Sequence, residues 1–190
     1  MYRNYRGHGI SPAWVIIGIN VVIFIVTSLN PTFVYYNFGL IPQDLTRRPW
    51  VILTSIFIHR GLWHLITNMW TLYFFSNLLS SIIGNKRYLV IYFVGGILGG
   101  IFYSLIAAPV SIAVGASGAI FALGGALAVL RSDLKVYIFP IPVPMPMWVA
   151  VIGGFFIISL FPGIAWQAHL GGLVAGIIGG YIFKRQRSFF

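Results

Sequence analysis

Residues 115–131 read GASGAIFALGGALAVLR, a run of small and apolar side chains that ends at Arg131. The hydroxyl of Ser117 is the only polar side-chain group before that arginine. A run of this length and composition predicts a helix inside a membrane. Because polar groups are costly in lipid, an isolated hydroxyl deep in such a helix is a candidate functional group.

The composition of the whole chain indicates a membrane protein. Of its 190 residues, 59% are hydrophobic and only 7% are charged, whereas soluble domains carry about 25% charged residues. No stretch is polar enough and long enough for a separate soluble domain, so we expect one all-α, polytopic domain over residues 1–190. Cysteine is absent, which excludes disulfides and cysteine metal ligands.

Six apolar segments are each close to the ~20 residues that a helix needs to cross a bilayer. They lie at about 12–29, 62–83, 88–108, 115–131, 146–161 and 165–183. The first resembles a signal peptide, but no cleavage site follows it, and we expect a retained helix. The aromatic link at 30–61 is expected to lie partly in the membrane interface. The link at 140–146 has a proline at every second position and cannot be helical throughout.

The positive charges lie at the ends of these segments, which argues against a nucleic-acid partner in spite of the net charge of +10. With six spans, both termini share a side with nine of the twelve cations: Arg3, Arg6, Lys86, Arg87, Arg131, Lys135, Lys184, Arg185 and Arg187. The other side holds Arg47, Arg48 and Arg60. The positive-inside rule therefore predicts a multi-pass protein of the cell membrane with both termini in the cytoplasm.

The rise per residue of a helix predicts that three polar side chains lie at a similar depth in the membrane. At ~1.5 Å per residue, Ser117, His169 and Asn68 lie ~21, ~22 and ~24 Å above the inner ends of their helices. His64 is one turn higher than Asn68. We therefore expect these groups to meet below the outer face of a ~30 Å hydrocarbon core.

Ser117 is the candidate nucleophile. A serine in a membrane helix more often serves packing, with its hydroxyl bonded back to a carbonyl. Here Gly115 and Gly118 flank it and permit close backbone approach, and the free N–H groups of a helix N-terminus favour a developing negative charge. Ala119 stands where the Gly-x-Ser-x-Gly elbow of soluble hydrolases has its last glycine.

His169 is the candidate general base. The alternative is a neutral histidine that is bonded to a neighbouring helix. Gly172 and Gly176 continue its helix face as a stripe of small residues that lets another helix come close. The helix of Ser117 is the natural partner, and Phe121, one turn below Ser117, is placed to pack against the imidazole.

His64 and Asn68 are four residues apart and share a helix face. An amide and an imidazole N–H are suitable hydrogen-bond donors to an oxyanion. A structural hydrogen bond between helices is the alternative for Asn68. His59, which precedes them near the outer interface, is given a supporting role.

The chain contains two acids, Asp44 and Asp133, and neither is available as a third member of a triad. The expected machinery is therefore a Ser–His dyad, with no cofactor and no metal. A zinc site built from His59, His64 and His169 is the metal alternative, but it lacks a nearby carboxylate to serve as base.

Taken together, these residues resemble the rhomboid family of intramembrane serine proteases. The resemblance is carried by His59-x4-His64-x3-Asn68, by Gly115-Ala116-Ser117-Gly118 and by Ala168-His169-x2-Gly172-x3-Gly176, on the second, fourth and sixth segments. It implies a minimal six-helix bundle that cleaves single-span or multi-span membrane proteins near the outer face of the lipid bilayer. It also implies that Ser117 is the nucleophile, that His169 is the base, and that His64, Asn68 and the Ser117 N–H form the oxyanion hole.

Three positions depart from the usual pattern of that family. Trp50 is followed by Val51 rather than by arginine, Ser80 stands where many bacterial members have a glutamate, and Phe121 replaces a frequent tyrosine. Two other functions stay open: a non-catalytic relative that binds membrane helices, and a small transporter with broken helices. The sequence predicts neither an oligomeric state nor whether the fifth helix or the 30–61 link admits substrate.

Overall fold

The computed structural model describes residues 11–138 and 141–187, and this part of the chain is mostly helical. Its helices are α1 (Pro12–Leu29), α2 (Pro31–Phe38), α3 (Val51–Thr54), α4 (Leu62–Ile83), α5 (Asn85–Ile106), α6 (Ser117–Leu130), α7 (Met147–Ser159) and α8 (Trp166–Arg187). Two strands, β1 (Lys135–Ile138) and β2 (Ile141–Pro146), lie between α6 and α7. Arg3 and Arg6, two of the cations on the predicted cytoplasmic side, and Pro140 lie outside the described residues.

The six predicted segments correspond to α1, α4, α5, α6, α7 and α8, with ends that differ by up to four residues. The start of α5 is earlier than predicted because Gly84, at a φ of 83°, ends α4 and directly precedes α5. The end of α8 is later because Lys184 and Arg185 continue the helix, where cations favour the negative end of its dipole.

The 30–61 link is structured and tied to the bundle. Pro31 opens α2, and the side chain of Asn30 caps it by accepting the Phe33 N–H at 3.1 Å. Two 3-10 turns follow at Pro42–Asp44 and Ser55–Phe57. The backbone groups of Leu40 and Ala113 exchange hydrogen bonds of 3.0 and 2.9 Å, which join this link to the segment before α6.

The described part of the second predicted irregular link is extended, as strand β2. β1 and β2 pair antiparallel, with Lys135 opposite Pro146 and Val136 opposite Met145. The alternating prolines explain why this segment is extended, because proline fixes φ and cannot donate an N–H to a helix.

The helix α6 lies at the centre of the bundle, and ten of its fourteen residues are buried. It packs most extensively on α8, and also on α5, α4 and α7. A Cβ added at Gly172 would lie 2.0 Å from the Gly118 carbonyl oxygen, and one at Gly176 would lie 1.9 Å from that of Ala122. The two stripes of small residues thus bring α6 and α8 backbone to backbone.

The outer surface of the bundle is apolar. Within the part of the chain that the structure describes, α1 and α5 are long and apolar enough to cross a bilayer, whereas α6 and α7 are apolar but shorter. Large apolar side chains of α1 and α7 point outward: Trp14, Val22, Ile25, Leu29, Trp148, Phe156 and Ile157. A surface of this kind is suited to lipid contact, because soluble monomers seldom expose a continuous apolar patch of such extent.

Candidate active site

The structure brings Ser117 and His169 into direct contact. Ser117 is the first residue of α6, and His169 lies in the first turn of α8. The His169 Nε2 atom lies 2.7 Å from the Ser117 Oγ atom, which is hydrogen-bonding distance. When the other ring nitrogen carries the proton, Nε2 is an acceptor for the hydroxyl hydrogen.

The imidazole of His169 is held by packing. Its ring centroid lies 4.7 Å from that of Phe121, with the planes 31° apart. The residue is buried, and its Nδ1 atom has no hydrogen-bond partner within the described residues. Within the described residues, no carboxylate therefore contacts this ring, and the phenyl ring of Phe121 packs against it.

Gly115 makes room for a second histidine beside the serine. It adopts a φ of 128°, a conformation that side chains rarely tolerate. A Cβ at this position would lie 2.8 Å from both the Nε2 and the Cε1 atoms of His64. Only glycine thus fits here, and the edge of the His64 ring faces the turn that leads into Ser117.

The backbone of Arg60 fixes the tautomer of His64. The Arg60 N–H donates to the His64 Nδ1 atom at 3.2 Å, so the neutral ring carries its proton on Nε2. One turn along α4, the Asn68 side-chain amide donates to the His64 carbonyl oxygen at 2.8 Å. An amide has two N–H donors, so the second one of Asn68 is left for another acceptor.

His59 supports the turn before Ser117 from beneath. It is fully buried, and its Nε2 atom accepts a long hydrogen bond of 3.5 Å from the Ala116 N–H. Burial, together with the smaller Coulombic effect of His64, lowers the pKa of His59 to about 3. The ring is therefore neutral at physiological pH and can act as this acceptor. The Gly115 N–H is bound in turn by the Ser55 carbonyl oxygen at 2.9 Å.

Helix α5 also packs close to the site, a contact that was not predicted from the sequence. A Cβ at Gly99 would lie 2.6 Å from the Ala168 carbonyl oxygen, and one at Gly95 would lie 2.1 Å from the Ala122 Cβ. Gly171 of α8 meets Gly99 from the other side. The pattern Gly95-Gly96-x-x-Gly99-Gly100 is a small-residue stripe that could have predicted this contact.

A small cavity of about 30 Å³ lies beside Ser117. Its walls include Ser55, Gly115, Gly118 and Ala168. This volume has room for roughly one or two water molecules. Within residues 11–138 and 141–187, no three His, Cys, Asp or Glu side chains are grouped so that they could hold a metal ion.

These features define the chain as a helical-bundle protein with an apolar outer surface, in which a Ser–His pair lies at the N-termini of two packed helices. Residues 46–186 match the family model of the Rhomboid domain. The chain therefore belongs to the rhomboid family, whose members are membrane proteins.

The curated relatives include both proteases and a protein described as inactive. The chain is 28% identical to the yeast (Saccharomyces cerevisiae) Rhomboid protein 1, mitochondrial, over 97% of this chain and 56% of that protein. It is 36% identical to Rhomboid protease GluP of Bacillus subtilis, over 67% of this chain and 24% of that protein. It is 35% identical to the Inactive RHOMBOID-like protein 8 of Arabidopsis thaliana, over 66% of this chain and 36% of that protein. The chain thus spans from about a quarter to somewhat over half of the length of these relatives.

Proposed function

We propose that this protein is an intramembrane serine endopeptidase that cleaves the transmembrane segments of other membrane proteins. The observation that carries the proposal is the 2.7 Å separation between Ser117 Oγ and His169 Nε2 at the N-termini of two packed helices of an apolar bundle. Ser117 is the first residue of α6, and its hydroxyl bonds to an imidazole on another helix rather than back to a carbonyl of its own segment.

The chemistry follows the order of acyl transfer. Ser117 Oγ attacks the scissile carbonyl carbon, and His169 Nε2 takes the hydroxyl proton. The tetrahedral intermediate then collapses, the C–N bond breaks, and His169 returns the proton to the leaving amine. Water attacks the resulting ester, gives a proton to His169, and releases the acid as Ser117 regains its hydrogen.

The negative charge on the tetrahedral oxygen needs hydrogen-bond donors. We assign this role to the Ser117 N–H, the second amide hydrogen of Asn68 and the Nε2–H of His64. The support for His64 is its tautomer, because the Arg60 N–H occupies Nδ1 and leaves the proton on the edge that faces Gly115. The N-terminus of α6 adds the positive end of a helix dipole.

The proposed setting is a single domain with six membrane spans, α1, α4, α5, α6, α7 and α8, and with both termini in the cytoplasm of a cell. The support is the apolar outer surface together with the excess of cations at the end of the bundle opposite Ser117. A site near the N-termini of α6 and α8 would then lie below the outer face. Clients would be single-span or multi-span proteins whose helices unwind to expose a carbonyl.

One relative favours a second candidate, a non-catalytic protein that binds membrane helices. The Arabidopsis relative with 35% identity is described as inactive. The two candidates differ in what they do to a client. Purified protein should be incubated in vesicles with a panel of single-span proteins, and the fragments should be identified by mass spectrometry. We expect fragments that disappear with Ser117→Ala and with His169→Ala, whereas intact clients with the unaltered protein would favour the non-catalytic candidate.

A further inference from the structure

Two cations from different helices lie beside the last turns of α8. The guanidinium carbon of Arg87, in the first turn of α5, lies 5.3 Å from the centre of the Phe183 ring. The next residue of α8, Lys184, places its Nζ atom 3.4 Å from the Val129 carbonyl oxygen of α6. Because consecutive residues of a helix point about 100° apart, the two cations lie on adjacent sides of one turn of α8.

Helix packing holds this end of the bundle together. A Cβ added at Gly179 would lie 3.4 Å from Ile91 of α5, and one at Gly180 would lie 3.0 Å from the Ala126 Cα atom of α6. One turn further along, the same two faces of α8 carry the phenyl ring and the lysine. The phenyl ring is itself packed on the apolar core. The two cations are therefore attached to three helices that contact one another.

Neither of these two cations has a carboxylate partner among the described residues. The sequence contains two acids, Asp44 and Asp133. Asp44 pairs with Arg48, and Asp133 pairs with Arg131 at 3.4 Å. Both unpaired cations are exposed. Their positive charge is therefore available to an anion from outside the chain.

Both side chains keep hydrogen-bond donors for such an anion. The guanidinium of Arg87 has five N–H donors in a planar fork that matches a phosphate group, and the phenyl ring beside it offers them no oxygen or nitrogen acceptor. The ammonium of Lys184 has three N–H donors, and the Val129 carbonyl oxygen takes one of them. The chemistry of this pair is suited to a phosphate.

The position of the pair favours a phosphate that is carried by a lipid. The chain belongs to a family of membrane proteins, and cations at the ends of apolar helices lie at the level of the headgroups. On α5, Val90 and Val94 follow Arg87 on the same helix face, and their side chains are 53% and 47% exposed. A lipid whose phosphate binds Arg87 can therefore lay an acyl chain along this face.

We propose that α5, α6 and α8 form a binding site for one anionic phospholipid at the end of the bundle opposite Ser117, with its phosphate bound by Arg87 and Lys184. Basic pockets between membrane helices bind anionic headgroups in this way. The lipid would connect the ends of the three helices and stabilise the folded bundle as a ligand does. The site is separate from the catalytic proposal, and its test needs no measurement of activity.

The test counts bound lipids. Purified protein is freed of lipid in detergent and titrated with phosphatidylglycerol or with phosphatidylcholine, and the bound molecules are counted by native mass spectrometry. We expect one phosphatidylglycerol to bind more tightly than phosphatidylcholine. Arg87→Gln and Lys184→Gln should each weaken this first binding step by about fivefold, which is the contribution of one cation near anionic lipid.

Lys86→Gln is the matched control. It removes the same charge from the same turn of α5, and Lys86 is exposed like its neighbour. Within the described residues, however, Lys86 forms no hydrogen bond or cation–π contact with α8, whereas Arg87 contacts Phe183. The first binding step should therefore be largely unchanged in Lys86→Gln. A loss as large as in Arg87→Gln would indicate a diffuse positive surface and would overturn the proposed site, as would equal binding of the two lipids.

Thermal unfolding gives a second measurement and separates lipid from free phosphate. Phosphatidylglycerol should raise the Tm of the unaltered protein and of Lys86→Gln, and should raise it less in Arg87→Gln and Lys184→Gln. Inorganic phosphate alone should have little effect. Equal stabilisation by inorganic phosphate would assign the pair to a free anion and contradict the proposal. Circular dichroism checks that each variant folds, and either of the two site variants decides the question if the other does not fold.

Discussion

Replacing Gly172 by alanine should separate the serine from the histidine. A Cβ at this position would lie 2.0 Å from the Gly118 carbonyl oxygen, whereas real Cβ contacts are not shorter than 3.0 Å. Since the obstacle is backbone of α6, the two helices must move apart by about 1 Å, which is an overpacking change. The same shift would stretch the Ser117–His169 contact from 2.7 Å to about 3.7 Å, beyond the length of a hydrogen bond. A misplacement of 1 Å can cost about 10²-fold in rate.

The assay is the initial rate of cleavage of a single-span client by protein in vesicles. Gly179→Ala is the matched control, because it makes the same substitution in α8 but its Cβ would lie 3.4 Å from Ile91, an ordinary contact. Thermal unfolding followed by circular dichroism separates loss of rate from loss of fold, with about 1–3 kcal/mol of destabilisation expected for Gly172→Ala. If Gly172→Ala cleaves the client as fast as Gly179→Ala, the close contact of α6 and α8 does not set the catalytic distance.

Three further outcomes follow from the same account. Asn68→Ala should slow cleavage by ~10²–10³-fold if its amide is a main oxyanion donor, and a double variant with His64→Ala that keeps the full rate would make both residues structural. Chelators should leave activity unchanged, whereas loss with EDTA and recovery with zinc would favour a metal site built from histidines. Replacing the helix-breaking residues of a good client by leucine should suppress cleavage without preventing membrane insertion, and equal cleavage of leucine-rich clients would show that unwinding is not limiting.

The main helices could be predicted from the sequence because their apolar runs are long and their ends are marked. Gly84 and Arg131 close two of them at or within one residue of the predicted ends. The meeting of Ser117 with His169 could also be predicted, since helix rise gives both residues the same height and the small-residue stripes let their helices touch. The catalytic roles of these residues stay predictions until activity is measured.

Other features depend on how backbone groups are oriented and which segments pair, and neither follows from the sequence alone. The tautomer of His64 follows from where the Arg60 N–H points, and this is set by the turn at Gly61 with its φ of 89°. The prolines of β2 predicted an extended segment, but not that this segment would pair antiparallel with β1. The glycine pattern of α5 was present in the sequence, but the close contact of Gly99 with Ala168 was not predicted from it.

The most direct test of the central claim is labelling of the purified protein by a fluorophosphonate, which reacts with serines that a nearby base activates. The account predicts one modified peptide, with the phosphonyl group on Ser117, and loss of labelling in both Ser117→Ala and His169→Ala. The Gly179→Ala variant should label like the unaltered protein. Modification of another serine, or undiminished labelling of Ser117 in His169→Ala, would contradict the claim that His169 activates Ser117 for attack.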